Sequence, residues 1–317
     1  MIKQDHVRLN TRYKMKKIRP FTNELSSRDP AVIFHNGQYY GCFASAGDTL
    51  SIICAPDVEG LAKAEPVKVF TPEAGTMWSK QLWAPELHVI DGKCYIYVAA
   101  DDGDNHNHRM YVLENGSNDP LIPYTMHGKI SDDTDKWAID GTVFSHDGKR
   151  YFVWSGWEGD KNVCQNLYIA EMADPFTLCS KRHLISTPEY EWEKYGADGT
   201  PESPFINEGP YVFTLGGKTY LSFSGAGSWC EDYCIALLEL VGNDPLDKNC
   251  WKKAEKPLFS GNETVFGAGH CSVIVREDGN SADVFFHGWS KGATVVWNTV
   301  DFWHGELVTD EKELVLK

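Results

Sequence analysis

One phrase returns five times along this 317-residue chain: an acidic residue, a tryptophan or a histidine stands eight or nine positions before a glycine-containing turn that leads into aromatic strand sequence. The segments are DPAVIFHNGQYY from Asp29 with Gly37, WAPELHVIDGKCYIYV from Trp83 with Gly92, and DGTVFSHDGKRYFVW from Asp140 with Gly148. EGPYVFTLGGKTYLSF from Glu208 with Gly217 and HCSVIVREDGNSADVFF from His270 with Gly279 complete the series. The offsets are 8, 9, 8, 9 and 9, and successive glycines lie 55, 56, 69 and 62 residues apart. That spacing suits repeated four-stranded units whose connecting loops vary in length.

Each unit opens with an apolar run, passes a turn such as His-Asn-Gly or Ile-Asp-Gly, and continues into QYYGCF, KCYIYV, KRYFVW, KTYLSF or ADVFF. This is the grammar of β-hairpins, because Asn-Gly and Asp-Gly supply the positive φ angles of tight turns. LSIICA, HRMYVLE, NLYIAEM, YCIALLEL and TVVWNTVD read as later strands, and helical periodicity is scarce. The pattern predicts an all-β fold, a five-bladed β-propeller occupying residues 1–317 as a single domain. A sandwich would leave the common offset unexplained. In a propeller, rotation about the axis would bring Asp29, Trp83, Asp140, Glu208 and His270 to one end of the central channel.

A formal charge of −15 repels phosphate backbones, which argues against nucleic acid as a partner. No stretch approaches the roughly 20 apolar residues that span a bilayer, and MIKQDHVRLNTRYKMKKIRPF lacks the apolar run of a secretory signal. No membrane partner and a cytoplasmic location are the expectations. Oligomeric state is left open.

Three carboxylates around one cavity suit hydrolysis of a glycosidic bond, which takes a protonated acid at the leaving oxygen and an ionised partner on the opposite face. A third carboxylate would orient the acid and raise its pKa by like-charge repulsion. Spacing alone does not assign the roles, and Asp29 and Asp140 could simply cap turns. Trp83 reads as a sugar-facing wall or as a packed blade residue. DDGDNHNH (Asp101 to His108) has the look of a metal cluster but lacks the closing glutamate of a calcium loop, and reads as a solvated loop at the pocket rim. GGKT at Gly216 belongs to a hairpin, not a phosphate loop.

SRDPAVIFHNGQYY, WAPELHVIDGKCYIYV, AIDGTVFSHDGKRYFVW, NEGPYVF and GAGHCSV, in this order, resemble glycoside hydrolase family 43, five-bladed propeller enzymes acting on arabinose- and xylose-containing polysaccharides. The resemblance implies inversion of configuration, with Asp29 as general base, Glu208 as general acid and Asp140 tuning the acid. It implies a calcium ion on the axis held through His270 and waters. Ser45, Trp157 and His287 join Trp83 as expected sugar contacts. IWAPELH-like sequence, DDTDKWAIDGTVF, WSGWEG with QNLYIAEM, and the PEYEWE run look like the exo-α-L-arabinofuranosidase branch, which implies terminal arabinose released from oligosaccharides. A β-xylosidase or bifunctional enzyme on xylo-oligosaccharides, or a non-catalytic carbohydrate-binding propeller, are the other readings. Where relatives often carry an arginine after a Tyr-His pair in the fifth unit, this chain reads Phe286, His287, Gly288 and Trp289, and GPGHNS becomes GAGHCS.

Overall fold

A computed structural model describes residues 15–20, 22, 25–46, 48–310 and 313–317. All five repeated segments fold as antiparallel hairpins. They are Ala31–His35 with Gln38–Ser45, Lys80–Ile90 with Lys93–Asp101, Ala138–His146 with Lys149–Trp157, Phe205–Leu215 with Lys218–Gly225, and Val265–Val275 with Ser281–Ser290. Four of them turn on two residues that both have positive φ: Asn36-Gly37, Asp91-Gly92, Asp147-Gly148 and Gly216-Gly217. That conformation matches the right-handed twist of the flanking strands. The fifth hairpin uses a longer turn, in which Gly279 N–H donates to the Arg276 carbonyl.

A third strand extends every hairpin: Thr49–Ala55, Arg109–Glu114, Cys164–Asp174, Cys234–Leu240 and Asp301–Asp310. Val67–Phe70, Thr125–Ile130, His183–Ser186 and Trp251–Lys253 add a fourth strand to the first four units. In the fifth, Asp301–Asp310 pairs with Lys16–Arg19, contributed from the other end of the described chain, and with the short Glu313–Leu316 strand that follows it. The third and fourth units join as a nine-stranded sheet through a short parallel ladder, Cys164 against Phe205 and Gln165 against Ile206. TVVWNTVD does not form the expected strand: residues 293–300 are irregular, and only Asp301 enters a ladder. Thr299 folds back so that its N–H and hydroxyl both donate to the Val296 carbonyl. Local hydrogen bonds there replace a ladder, which is how Thr commonly competes with regular structure.

The first strands of consecutive hairpins touch one another, and the fifth touches the first. Apolar clusters fill the spaces between neighbouring units. Tyr40, Ile52, Ile96 and Leu113 join the first unit to the second, and Tyr97, Val112, Phe152 and Tyr168 the second to the third. Ile169, Leu221, Phe223 and Ala236 lie between the third and fourth, and Phe213, Leu237, Val284 and Phe286 between the fourth and fifth. Phe43, Ile53, Phe285 and Phe302 seal the fifth against the first. Each such side chain contributes about 1.5–3 kcal/mol when removed from water, so the strands that carry the site rest on both neighbours. No helix among the described residues is long and apolar enough to cross a membrane.

Candidate active site

Near the start of each hairpin the backbone takes a left-handed step at an equivalent position. The residues are Asp29 (φ 53°), Ala84 (φ 43°), Asp140 (φ 55°), Gly209 (φ 56°) and His270 (φ 49°). In all five units the regular ladder runs from the residue two positions later: Ala31, Glu86, Thr142, Tyr211 and Ser272. In the last four units the ladder register shifts across this step, as at a β-bulge, a device that re-aims side chains beside active sites, and in the first the step falls just before the ladder begins. The step also accounts for the unequal offsets of the first four units, since Trp83 and Glu208 stand one residue before the left-handed position while Asp29 and Asp140 occupy it. His270 occupies it too, and its offset of 9 comes from the longer turn of the fifth hairpin. Four non-glycine residues held at positive φ represent backbone strain kept at a functional site.

Asp29, Asp140, Glu208 and His270 all border one cavity of about 750 Å³, with Trp83 and Ser45 also in its wall. Trp157 and His287, expected to touch the sugar, are not in that lining. Trp157 is buried behind Trp137, stacked at 4.7 Å and 10°, and Trp137 is the ring that faces the cavity. His287 is fully buried behind Asp29. These two side chains are set back because their strands already run in the interior of their units, where neighbouring rings cover them. Arg28, Trp137 and Trp297, which the sequence pattern did not single out, also line the cavity.

The four ionisable groups take different charges. Burial alone would raise the Asp29 carboxyl. Its Oδ1 lies 3.1 Å from His270 Nδ1, however, and this cation, with help from Arg28, holds its pKa well below the usual carboxylate range. Burial pushes Asp140 up to about 7, with the charges of Glu208 and Asp29 adding to the rise against His270 and the Gly209 N–H, which donates to Asp140 Oδ2 across 3.0 Å. Glu208 is also raised, by burial and by Asp29, while His270 and the Tyr233 hydroxyl at 2.9 Å act in the opposite sense. Burial would lower His270, but Asp29, Asp140 and Glu208 together lift it to about 10. At neutral pH the site thus holds an ionised Asp29, a cationic His270, and two carboxyls displaced toward their protonated forms. Titratable groups driven apart by their surroundings divide acid and base roles between them.

His287 completes the support of Asp29. Its Nδ1 is 3.1 Å from the Asp29 backbone N–H and 3.3 Å from Asp29 Oδ1. One nitrogen does not both accept from the amide and donate to the carboxylate. Burial lowers the imidazole to about 4, so the ring is neutral, and the amide bond assigns its proton to Nε2. The His287 ring stacks on Tyr233 at 5.5 Å and 9°, which joins the two ends of the site through Tyr233 and Glu208.

The loop expected to be solvated is so only in part. Asp102 to His106 are exposed, but Asp101 and His108 are fully buried, with Oδ2 and Nδ1 2.7 Å apart. That distance suits an ion pair, yet neither atom has a partner in hydrogen-bonding geometry, and burial raises the carboxyl and lowers the imidazole to about 4. Burial thus works against charge on both groups. The His108 ring stacks on Trp83 at 4.1 Å and supports that wall from behind.

Calcium takes six to eight oxygen ligands. Among the described residues no group of three His, Cys, Asp or Glu side chains is arranged to hold a metal, and His270 Nδ1 already faces Asp29. The charge of His270 opposes those of the carboxylates around it.

A family model for glycosyl hydrolases family 43 matches residues 19–302. The chain belongs to this family. It is 34% identical over 276 residues to a Streptomyces avermitilis protein named extracellular exo-α-(1→5)-L-arabinofuranosidase, covering 84% of this chain and 56% of that one. A Streptomyces chartreusis protein of the same name is 32% identical, with 84% of this chain and 82% of that one covered. This chain therefore spans little more than half the length of the first relative. A crystal structure of α-L-arabinofuranosidase from Lactobacillus brevis superposes with a TM-score of 0.80 at 32% identity, covering 92% of this chain and 94% of the other. The expectation of a cytoplasmic protein is corrected by the two Streptomyces family members, both of which are named extracellular.

Proposed function

We propose that this protein is an inverting, exo-acting α-L-arabinofuranosidase that removes terminal arabinose from arabino-oligosaccharides outside the cell. We further propose that its all-β fold is a five-bladed propeller, a reading supported by five hairpins whose first strands touch in a ring and by five apolar clusters between neighbours. The observation that carries the function is the opposite displacement of two carboxyls in one cavity, Asp29 downward and Glu208 upward. Asp29, ionised, takes a proton from the attacking water as its oxygen bonds to the anomeric carbon. Glu208 gives its proton to the glycosidic oxygen as the carbon–oxygen bond breaks. Asp140, bound to the Gly209 N–H immediately after Glu208, positions that acid. Exchange with solvent then returns the proton from Asp29 to Glu208. The names of the similar proteins support arabinose as the sugar.

The test is hydrolysis of nitrophenyl α-L-arabinofuranoside, β-D-xyloside and β-D-galactoside, with proton NMR reading the anomer first released. Turnover of the arabinofuranoside with inversion is expected, and Asp29→Asn and Glu208→Gln should each lose about 100-fold or more while remaining folded. Preference for the xyloside would replace arabinose by xylose. A folded protein inactive on all three would favour a carbohydrate-binding module.

A further inference from the structure

A guanidinium is charged at every working pH and carries five N–H donors, so a half-buried arginine normally finds a carboxylate or a carbonyl. Five other described arginines do so. Arg19 donates to the Ala64 carbonyl, Arg109 to Asp135, Arg150 to Asp91, Arg182 to the Trp157 and Glu158 carbonyls, and Arg276 to Asp283. Arg28 differs. No hydrogen bond or ion pair links its guanidinium to another described residue, and its Nη1 is buried without a partner. The neighbouring Asp29 carboxylate is engaged by His270.

Arg28 nevertheless lines the cavity beside Asp29. Its guanidinium lies 5.1 Å from the centre of the Trp297 ring. Trp297 is 52% exposed and stands in the irregular segment that replaced the expected strand. That segment is fastened through the Val296 carbonyl, which accepts from Trp289 Nε1 and from Thr299. The ring covers one face of the guanidinium and holds its plane, and cation–π contact of this kind occupies the face while leaving the in-plane donors free. A fixed, desolvated cation with unused donors at the edge of a sugar-sized cavity is poised for acceptor oxygens supplied by a ligand.

We propose that Arg28 is a sugar-binding residue, whose N–H groups donate to hydroxyl oxygens of the terminal arabinose next to Asp29, with Trp297 holding the guanidinium in place at the cavity mouth. This rests on the arabinofuranosidase reading above. The pairing was not visible in sequence because Arg28 and Trp297 lie 269 positions apart and neither belongs to the repeated phrase.

The experiment is steady-state kinetics of wild type, R28Q, R28A, R28K and W297A on nitrophenyl α-L-arabinofuranoside and on its monodeoxy analogues, with thermal unfolding of each variant. Wild-type turnover tests the arabinofuranosidase reading by itself, and its absence would remove that reading and this proposal together. With an active wild type, R28Q should lose about 10- to 100-fold in kcat/KM, mostly through KM, the range for one hydrogen bond to a charged group. R28K should recover part of the loss, and W297A should raise KM by a smaller factor. One deoxy analogue should be a poorer substrate for wild type but no poorer than the parent sugar for R28Q, identifying the hydroxyl contacted. R28Q or, should that variant fail to fold, R28A with KM within twofold of wild type would overturn the proposal, as would equal sensitivity of wild type and variant to every deoxy analogue.

Discussion

Tyr233 donates its hydroxyl hydrogen to Glu208 Oε1 across 2.9 Å while its ring lies parallel to His287 at 5.5 Å. Burial and the nearby charges of Glu208 and Asp29 raise the phenol's pKa well above its usual value, so it is a donor at every working pH. A donor to the ionised form of an acid favours that form. Tyr233 therefore restrains the rise that burial imposes on Glu208.

Removal of that donor has a definite sign. In Tyr233→Phe the Glu208 pKa should rise, and since a general acid works protonated, the alkaline limb of kcat/KM should move to higher pH. The rate at the optimum should fall about 3- to 10-fold, the value of one neutral hydrogen bond. A pH–rate profile decides it, and an alkaline limb that stays or moves down would assign the acid elsewhere.

His270 governs the other limb. It holds Asp29 ionised at low pH, and a general base works only ionised. His270→Gln should raise the Asp29 pKa, move the acidic limb of kcat/KM to higher pH, and lower activity about tenfold or more on the acid side. The His270 pKa rises from 6.5 to about 10 in the fold. Its ion pairing thus stabilises the protein fully below pH 6.5 and is lost as pH rises through about 10. Thermal unfolding across that window should fall more steeply for wild type than for the variant.

Gly209 is fixed by two demands at once. Its φ is 56°, and a Cβ placed there would stand 3.0 Å from His270 Cγ and 3.1 Å from Nδ1. Gly209→Ala should cost about 1 kcal/mol or more in urea unfolding and displace both His270 and the N–H that holds Asp140. Activity should drop at least about tenfold if that placement matters; near wild-type kcat with intact stability would show that the backbone yields.

Behind Trp83, His108→Ala would remove the ring stacked at 4.1 Å and leave Asp101 buried beside a void. A loss of about 2–4 kcal/mol in stability is expected, with KM rising more than kcat falls because Trp83 loses its backing. An unchanged KM in the folded variant would remove Trp83 from sugar binding.

Much of this arrangement could be read from residue order. Asn36-Gly37, Asp91-Gly92 and Asp147-Gly148 announce their hairpins because a tight turn with two positive φ angles selects those residues locally. Asp29, Asp140, Glu208 and His270 stood out for a related reason: all sit at or beside one repeated left-handed step, and a repeated backbone feature leaves a repeated spacing. TVVWNTVD was misread because β-branched residues carry strand propensity whether or not a partner strand is there to pair with them. The cytoplasmic expectation failed for a different reason, since the residues read for it carry no record of where similar proteins act.

The residues that set the chemistry's balance were hidden from that kind of reading. Tyr233, Arg28, Trp137 and Trp297 belong to no repeat, and Trp157 and His287 resembled contacts yet lie one layer behind the wall. Local turn chemistry and strand periodicity, which act between neighbours in the chain, determined five hairpins and the positions of three carboxylates and one histidine. Which carboxyl is displaced toward ionisation, which ring faces the cavity and which arginine has donors to spare depended on burial and on charges brought within a few ångströms from distant segments. Only the tertiary structure could decide them.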